Sequence, residues 1–365
     1  MQRRSLTDID GIRTIHEEED DGLVNGPRHP RVAVDALGGD HGPAVVVEGA
    51  VLASRELPVA VSLAGPAAPL RDELARLGAT GSVDVLDAPD AVGMGEKVSL
   101  SALKKRSSIQ VAVEQVRDGR ADAFFSAGNT AACWTIAKLL LGTLEEVDRP
   151  ALAAVVPNRG GRTVLLDVGA NAQCKARHLE EFAIMGSAYA RGVLHNPRPR
   201  VGLMSLGEEE TKGSELVRHV HEVLKASSLN FVGNVEGHDL FTGKVDVVVM
   251  DGFTGNVVLK AVETCAELVV DFIREEIGRD LRRKAGAWLL RPAFQAARRR
   301  SDPAEVGGAP LLGLAGCCVI GHGHSTPRAV MHGIRAAAEF HSSGVNAAIE
   351  AELSALGARK EAAGA

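Results

Sequence analysis

The chain has 365 residues, 45% of them hydrophobic and only 3% aromatic, with a formal net charge of −6 at pH 7. That length suffices for one large α/β domain or two lobes around a cleft. So few aromatic rings argue against a base-stacking nucleic-acid surface, and no nucleic-acid partner is expected. No apolar run approaches the ~18 residues of a membrane span, and the N-terminus lacks the apolar stretch of a signal peptide.

The charge is unevenly placed. Residues 1–30 hold seven acids and four bases, whereas residues 274–300 hold nine bases and three acids. The first segment reads as a solvated, disordered acidic extension over 1–29. Cysteines stand at 133, 174, 265, 317 and 318. They form no CxxC pair and have no histidine at metal spacing, which predicts reduced thiols in a cytosolic protein.

From Arg31 the chain alternates strand-like and helix-like stretches. Arg31–Asp35 reads as a buried strand, followed by Gly38, Gly39, Asp40 and His41, and Pro43 opens a helix over 44–54. A strand is predicted over 59–65, a helix over 67–77 and a strand over 83–86. Residues 93–108 interrupt this order with Lys97, Lys104, Lys105 and Arg106, a cationic loop suited to an anion or equally to a solvated surface. A helix is predicted over 109–116. The strand at 123–126 ends in Gly128, Asn129 and Thr130, ahead of a helix over 131–141. Segments 151–156 and 163–167 predict a hairpin around 157–162.

The stretch TVLLDVGANAQCK, residues 163–175, condenses the pattern. A buried strand ends on Asp167, and Gly169, Asn171, Cys174 and Lys175 precede a helix over 178–194. A strand from Val201 leads into an acidic loop carrying Lys212, then a helix over 214–227. Next, 245–250 precedes Asp251, Gly255 and Asn256 and a long helix. There Val258, Val262, Cys265, Val269 and Phe272 predict a continuous buried stripe. In the basic segment 279–300, Leu281, Ala285, Trp288 and Leu289 share a helical face with Arg282, Arg283 and Lys284 around it. Arg291 follows, and Pro292 kinks or ends that helix. Residues 307–313 and 321–325 read as loops before an Ala-rich helical tail.

Strand, polar glycine-bearing turn and helix thus recur at five places. If the strands are parallel, the five loops converge on one edge of the sheet. Backbone N–H groups at helix starts, amide side chains and lysines suit a bound anion. The candidate anion binders are Gly38, Gly39, Asp40, His41, Lys97, Gly128, Asn129, Thr130, Lys212, Gly255 and Asn256. The candidate catalytic residues are Lys175, Asn171, Asp251 and Asp167, with Lys175 and Asn171 expected to meet the anion or a developing oxyanion. Aspartates at strand ends, Asp35 among them, also serve to tie loops by accepting N–H bonds. Cys174 is weighed as a nucleophile against the commoner role of a small buried residue. His322 and His324 lack a third ligand at useful spacing, so no metal is expected. Nor is any cofactor, since the serine-nucleophile elbow, the Walker loop and the dinucleotide fingerprint are missing.

The motifs VDALGGDHGP, SAGNT, LLDVGANAQCK, LGEEETKGSE, NFVGNVEGHDLF, DVVVMDGFTGNVVLK, GGAPLLG and GHGHS occur in the order seen in the bacterial phosphate acyltransferases of phospholipid synthesis, the PlsX family. The resemblance covers Arg31 to about Ala338. It implies transfer of a fatty acyl group from acyl carrier protein to inorganic phosphate, the acyl phosphate product serving glycerol-3-phosphate acylation. It also implies a homodimer and a three-layer α/β/α sandwich with a mixed, mostly parallel sheet, similar to isocitrate and isopropylmalate dehydrogenases and phosphotransacetylase. Two departures stand out: Ala131, Cys133 and Trp134 after GNT where the family has a glycine and smaller residues, and GHGHS in place of a sequence closer to HGSS.

On this reading residues 30–345 form the catalytic domain and 346–365 a helical tail. Phosphate is the anion, and it attacks directly without an acyl-cysteine. The basic segment, through Arg282, Arg283, Lys284, Trp288, Leu289 and Arg291, is expected to meet acyl carrier protein, the inner face of the cell membrane, or both. It would bring the cytoplasmic enzyme near the glycerol-3-phosphate acyltransferase that uses its product. A phosphotransacetylase-like enzyme using coenzyme A and a non-catalytic anion-binding scaffold share these loops and stay open as alternatives.

Overall fold

Strands here are short runs of Val, Leu, Ala and Phe whose alternate residues face opposite ways. Val32 and Val34 enter one core cluster and Ala33 the other. The same division holds for Phe125 against Phe124, Leu166 against Leu165, and Val249 against Val248. Both faces are therefore buried, which demands helices on each side of the sheet. The structure is a computed structural model describing residues 29–93, 106–301 and 307–364. The acidic extension up to residue 28 lies outside the described residues, as does Lys97 with Lys104 and Lys105.

The strands are β1 (Arg31–Asp35), β2 (Ala60–Gly65), β3 (Asp84–Asp87), β4 (Ala123–Ser126), β5 (Ala151–Asn158), β6 (Gly161–Leu166), β7 (Val201–Met204), β8 (Phe231–Val235), β9 (Val247–Val249), β10 (Ala309–Leu312) and β11 (Cys317–Ile320). They make one sheet in the order β3-β2-β1-β4-β11-β10-β5-β6-β9-β7-β8. The helices are α1 (Pro43–Glu56), α2 (Ala67–Arg76), α3 (Ser108–Arg117), α4 (Thr130–Leu141), α5 (Ala176–Gly192), α6 (Glu215–Lys225), α7 (Gly252–Gly278), α8 (Leu281–Leu289), α9 (Arg291–Ser301), α10 (Pro327–Ser342) and α11 (Val345–Gly364). Buried residues of α1, α2, α5, α6, α10 and α11 pack on one face, and those of α3 and α4 on the other. The result is the expected α/β/α sandwich with a mixed, mostly parallel sheet.

The hairpin expected around 157–162 is present as β5 and β6, antiparallel with Ala153 opposite Leu166. Two further antiparallel pairings flank β10, against β11 and against β5. Three reversals between β11 and β6 turn the second group of parallel strands end for end. The loops after β1, β4 and β11 therefore leave one edge of the sheet, and those after β6, β9 and β7 leave the opposite edge. The expectation of five loops on a single edge is corrected to two groups. GGAPLLG, read as a loop, contains β10, whose Leu311 and Leu312 are fully buried.

Each parallel group is clasped at its strand starts by the same device. Arg31 lies on Asp122 through three N–H bonds of 2.7–3.1 Å, from its backbone and guanidinium. Arg200 holds Asp246 likewise at 2.8–2.9 Å. Arg31 draws the Asp122 carboxyl below its usual range. At Asp246 burial pushes upward, but the Arg200 hydrogen bonds outweigh it and the carboxyl is held low.

The stripe expected to be buried along α7 is not. Gly252 and Gly255 are its buried residues, while Val269 and Phe272 are 55% and 57% exposed. Beyond its first turns α7 leaves the body, so its apolar period records a face without a cover among the described residues. The tail helix α11 does pack, with Val345, Ile349 and Leu353 buried and Glu352 paired with Arg191 of α5.

Candidate functional site

At the first edge, the loop after β1 lies against the loop after β4. Asp35 is 1% exposed and accepts from the Ser126 hydroxyl at 2.6 Å and from Leu37 N at 3.1 Å. Burial pushes its carboxyl above the usual range, against the pull of those hydrogen bonds. A Cβ on Gly38 would come within 2.7 Å of Gly128 N, so only glycine lets these loops touch. Gly39 and Asp40 meet the third loop: Asp40 N donates to Gly323 O at 2.8 Å, and Asp40 Oδ2 lies 3.1 Å from His324 Nδ1. His41 is 6.1 Å from the His324 ring. Asn129 caps α4, accepting from Ala132 N at 3.1 Å, and its amide donates to Gly93 O at 3.2 Å. Thr130 is exposed as the first residue of that helix. The cavity among Gly38, Gly39, His41 and Ser325 measures about 10 Å³, room for one water.

At the second edge, Asp167 is the hub. Its Oδ1 accepts from the N–H groups of Leu152, Gly169 and Ala170 at 3.0–3.1 Å. Its Oδ2 accepts from Asn171 N at 2.6 Å and Asn171 Nδ2 at 2.9 Å. The carboxyl is fully buried, and burial pushes it above the usual range while these donors pull down. The Asn171 amide also donates to Pro150 O at 2.8 Å. Asp167 and Asn171 thus hold the loop from within. Asp251 caps α7, accepting from Thr254 N at 2.9 Å and Thr254 Oγ1 at 2.7 Å. Gly255 is buried against the loop.

Basic and amide groups face solvent here beside exposed carboxylates, those of Asp148, Glu208, Glu209 and Glu210. Lys175 is exposed at the start of α5. No described residue pairs with its ammonium. Its backbone N–H donates to His178 Nδ1 at 3.1 Å, which leaves His178 Nε2 to donate to Asp148 at 2.8 Å. Asn256 is exposed, with its amide beside Gly169, where an added Cβ would lie 3.7 Å from Asn256 Oδ1. The strand β7 neighbours β9 in parallel, which puts the loop bearing exposed Lys212 on the same edge. Arg149 was not among the residues singled out from sequence. It is exposed and close enough to Cys174 and Asp148 to act on both electrostatically. Its one signal was a cation just before Pro150, whose carbonyl anchors Asn171.

Cys174 is a poor nucleophile in this setting. Burial first, then the Asp167 charge, push its thiol up to about 11, so little thiolate exists near neutral pH. The two loop groups are linked by α7. From Gly252 it runs to Glu263, about 16 Å at roughly 1.5 Å per residue, and Glu263 lies 3.8 Å from His322 Nε2.

The basic segment folds as α8 and α9, broken between Leu289 and Arg291, with Pro292 in the first turn of α9 where its missing N–H is tolerated. Leu281, Trp288, Leu289 and Leu290 are 56–82% exposed. Arg283 is engaged by Glu276 and Asp280, whereas Arg282, Lys284 and Arg291 are exposed and make no ion pair among the described residues. No described helix is long and apolar enough to cross a membrane.

A family model described as "Fatty acid synthesis protein" matches residues 30–348. The chain belongs to this family. Among its relatives, a phosphate acyltransferase from Acidobacterium capsulatum is 48% identical over 89% of this chain and 97% of that protein. Another phosphate acyltransferase, from Aquifex aeolicus, is 44% identical over 89% and 97%. The fold is similar to a phosphotransacetylase from Streptococcus pyogenes, with a TM-score of 0.58 at 17% identity over 86% of this chain and 94% of that one. A branched-chain phosphotransacylase from Enterococcus faecalis gives 0.56 at 16% over 86% and 99%. Within the family, this member is an acyltransferase. Of its bulky departures after GNT, Cys133 is fully buried in a core cluster directly beneath Ser126 and Asp35, and Trp134 packs on that cluster beneath Lys138.

Proposed function

We propose that this protein transfers a fatty acyl group from acyl carrier protein to inorganic phosphate, yielding acyl phosphate for phospholipid synthesis. The observation that carries the reading is the second loop group. Exposed Lys175 and Arg149 and the Asn256 amide supply cations and donors around a hub that Asp167 and Asn171 hold rigid, and the loop carrying Lys212 leaves the same edge of the sheet.

Phosphate is already an oxygen nucleophile near neutral pH. A phosphate oxygen attacks the thioester carbonyl, the carbonyl carbon–sulfur bond breaks, and the carrier thiolate leaves and takes up a proton. The protein has to align the anion and stabilise the oxyanion, each able to supply several kcal/mol. Lys175 and Arg149 are assigned to the anion or oxyanion, Asn256 and Lys212 to the phosphate, and Asp167, Asn171 and Asp251 to positioning. The glycine loops of the first edge leave the opposite edge of the sheet and are not assigned to the reacting phosphate; Lys97 is assigned to phosphate by the family resemblance alone. A homodimer at the inner face of the membrane, next to the glycerol-3-phosphate acyltransferase, follows from the same reading.

The test is thiol release and acyl phosphate formation from acyl-acyl carrier protein plus phosphate, with acyl-coenzyme A as comparator. Activity with coenzyme A esters alone would favour the phosphotransacetylase-like reading. Absence of release with either donor would favour a scaffold.

A further inference from the structure

Between the acidic loop after β7 and helix α6, Glu210, His221 and Glu222 bring one ligand atom each within 4.8 Å of one another. Two surface carboxylates near a histidine would carry nothing by themselves. The orientation of the imidazole does.

His221 is 3% exposed, and its ring stands edge-on to Phe231 at 5.1 Å. Its Nδ1 lies 3.0 Å from Asn234 Oδ1. Asn234 cannot turn over, because its Nδ2 donates to the Glu209 carbonyl at 2.9 Å and a carbonyl only accepts. Asn234 Oδ1 therefore faces the ring as an acceptor, and the proton of neutral His221 sits on Nδ1. Its Nε2 then presents a lone pair toward Glu210 Oε1, 3.6 Å away and beyond hydrogen-bonding distance. In that neutral tautomer two electron-rich atoms face each other, and the cation on this carboxylate oxygen is Lys225 at 2.7 Å. An imidazole whose other N–H is fixed on a carbonyl oxygen is how ligating histidines are held in metal sites.

We propose that Glu210, His221 and Glu222 bind a divalent transition metal of the zinc type. One imidazole and two carboxylates suit zinc over magnesium, which disfavours nitrogen ligands. Zinc bonds of about 2.0–2.2 Å fit the Glu210–His221 gap and require the exposed Glu222 to close in. Lys225, which now holds Glu210 at 2.7 Å, is the competitor and must swing away. That exchange is mild, since an exposed ion pair contributes little. The metal would pin the loop carrying Lys212 to α6 and β8, independently of the reaction assigned to the protein.

The experiment is zinc titration by calorimetry on chelator-treated full-length protein in a Cys265→Ser background, which removes the exposed thiol. Wild-type side chains at the site should bind one equivalent, with magnesium inert. His221→Phe, which keeps an aromatic ring against Phe231, and the surface change Glu222→Gln should each weaken binding at least tenfold. Lys225→Met should tighten it severalfold. His238→Gln, in the separate cluster of Glu208, His238 and Asp239, should leave it unchanged. Absence of zinc binding would mean that a proton closes the Glu210–His221 gap, and the proposal fails. It fails equally if both His221→Phe and Glu222→Gln bind as before, or if the loss follows His238→Gln.

Discussion

A Cβ added to Gly255 would lie 1.9 Å from the carbonyl oxygen of Asp167. Helix α7 and the loop after β6 therefore meet backbone to backbone. Gly252 repeats the contact one turn earlier, its N–H donating to Asn171 O at 2.8 Å. The obstructing atom belongs to main chain pinned by the Asp167 hub, so it has no rotamer to yield. Gly255→Ala should destabilise the protein by about 2–3 kcal/mol, the upper range for overpacking, and lower its melting temperature by several degrees. A melting temperature within one degree of wild type would show that the two elements can separate freely.

Lys175 and Asn171 should part company on substitution. Lys175→Ala removes an exposed cation and should leave the melting temperature unchanged while lowering turnover about 100-fold or more. Arg149→Ala should act in the same direction. Asn171→Ala strips a donor from buried Asp167 and the partner of Pro150 O, so it should also destabilise by about 1–3 kcal/mol. Near-normal turnover in folded Lys175→Ala would remove Lys175 from the mechanism.

Much of this was legible in the sequence, and the reasons are local. Alternation in Val32–Val34 or Val247–Val249 forces two buried faces, and Asn129 and Asp251 mark helix starts because short acceptors cap free N–H groups. What was hidden is non-local. β10 lies inside a Gly- and Pro-bearing stretch, and without it the number of strand reversals, and so the edge each loop occupies, cannot be counted. The apolar period of α7 says that a face exists and is silent on what covers it. His221, Asn234 and Glu210 come from three separate elements, so no spacing could join them.

Attack without an acyl-enzyme is checked by mass spectrometry of the protein mixed with acyl donor and no phosphate. With the Cys174 thiol pushed up to about 11, no stoichiometric acyl adduct should form, and Cys174→Ser should retain turnover within a few fold. An adduct that disappears in Cys174→Ser would establish the covalent route instead.

The clasp of Arg200 on Asp246 has a pH signature. The folded carboxyl is held below its ordinary value, so between the folded and unfolded values the unfolded chain binds more protons and stability rises with pH. The contribution is complete above the ordinary aspartate range and is lost as pH falls through the lower folded value. Asp246→Asn should cost about 1 kcal/mol at neutral pH, given the partial exposure of the pair, and converge with wild type in acid. Denaturant melts at pH 7 and near pH 3 measure this. An equal deficit at both would assign the loss to packing rather than charge.

The exposed arm formed by the outer part of α7 with α8 and α9 makes the most demanding prediction. Trp288 and Leu289 are 71% and 70% exposed, and Phe272 and Ile273 of α7 are also open. Arg282, Lys284 and Arg291 surround this face as cations without partners among the described residues, whereas Arg283 is engaged by Glu276 and Asp280. An apolar face ringed by bases settles into the headgroup region of an anionic bilayer, each base adding about 1 kcal/mol. Attachment of this kind is reversible and weakens with salt. The protein should sediment with anionic vesicles at low salt, leave them at high salt, and lose binding in Trp288→Asp. If wild type and Trp288→Asp stay equally in the supernatant at low salt, the membrane contact is refuted. The carrier contact then rests on Arg282→Glu/Lys284→Glu, which should raise the KM for acyl carrier protein severalfold and leave that for phosphate unchanged. Arg283→Glu breaks internal ion pairs instead, and should change the melting temperature more than either KM.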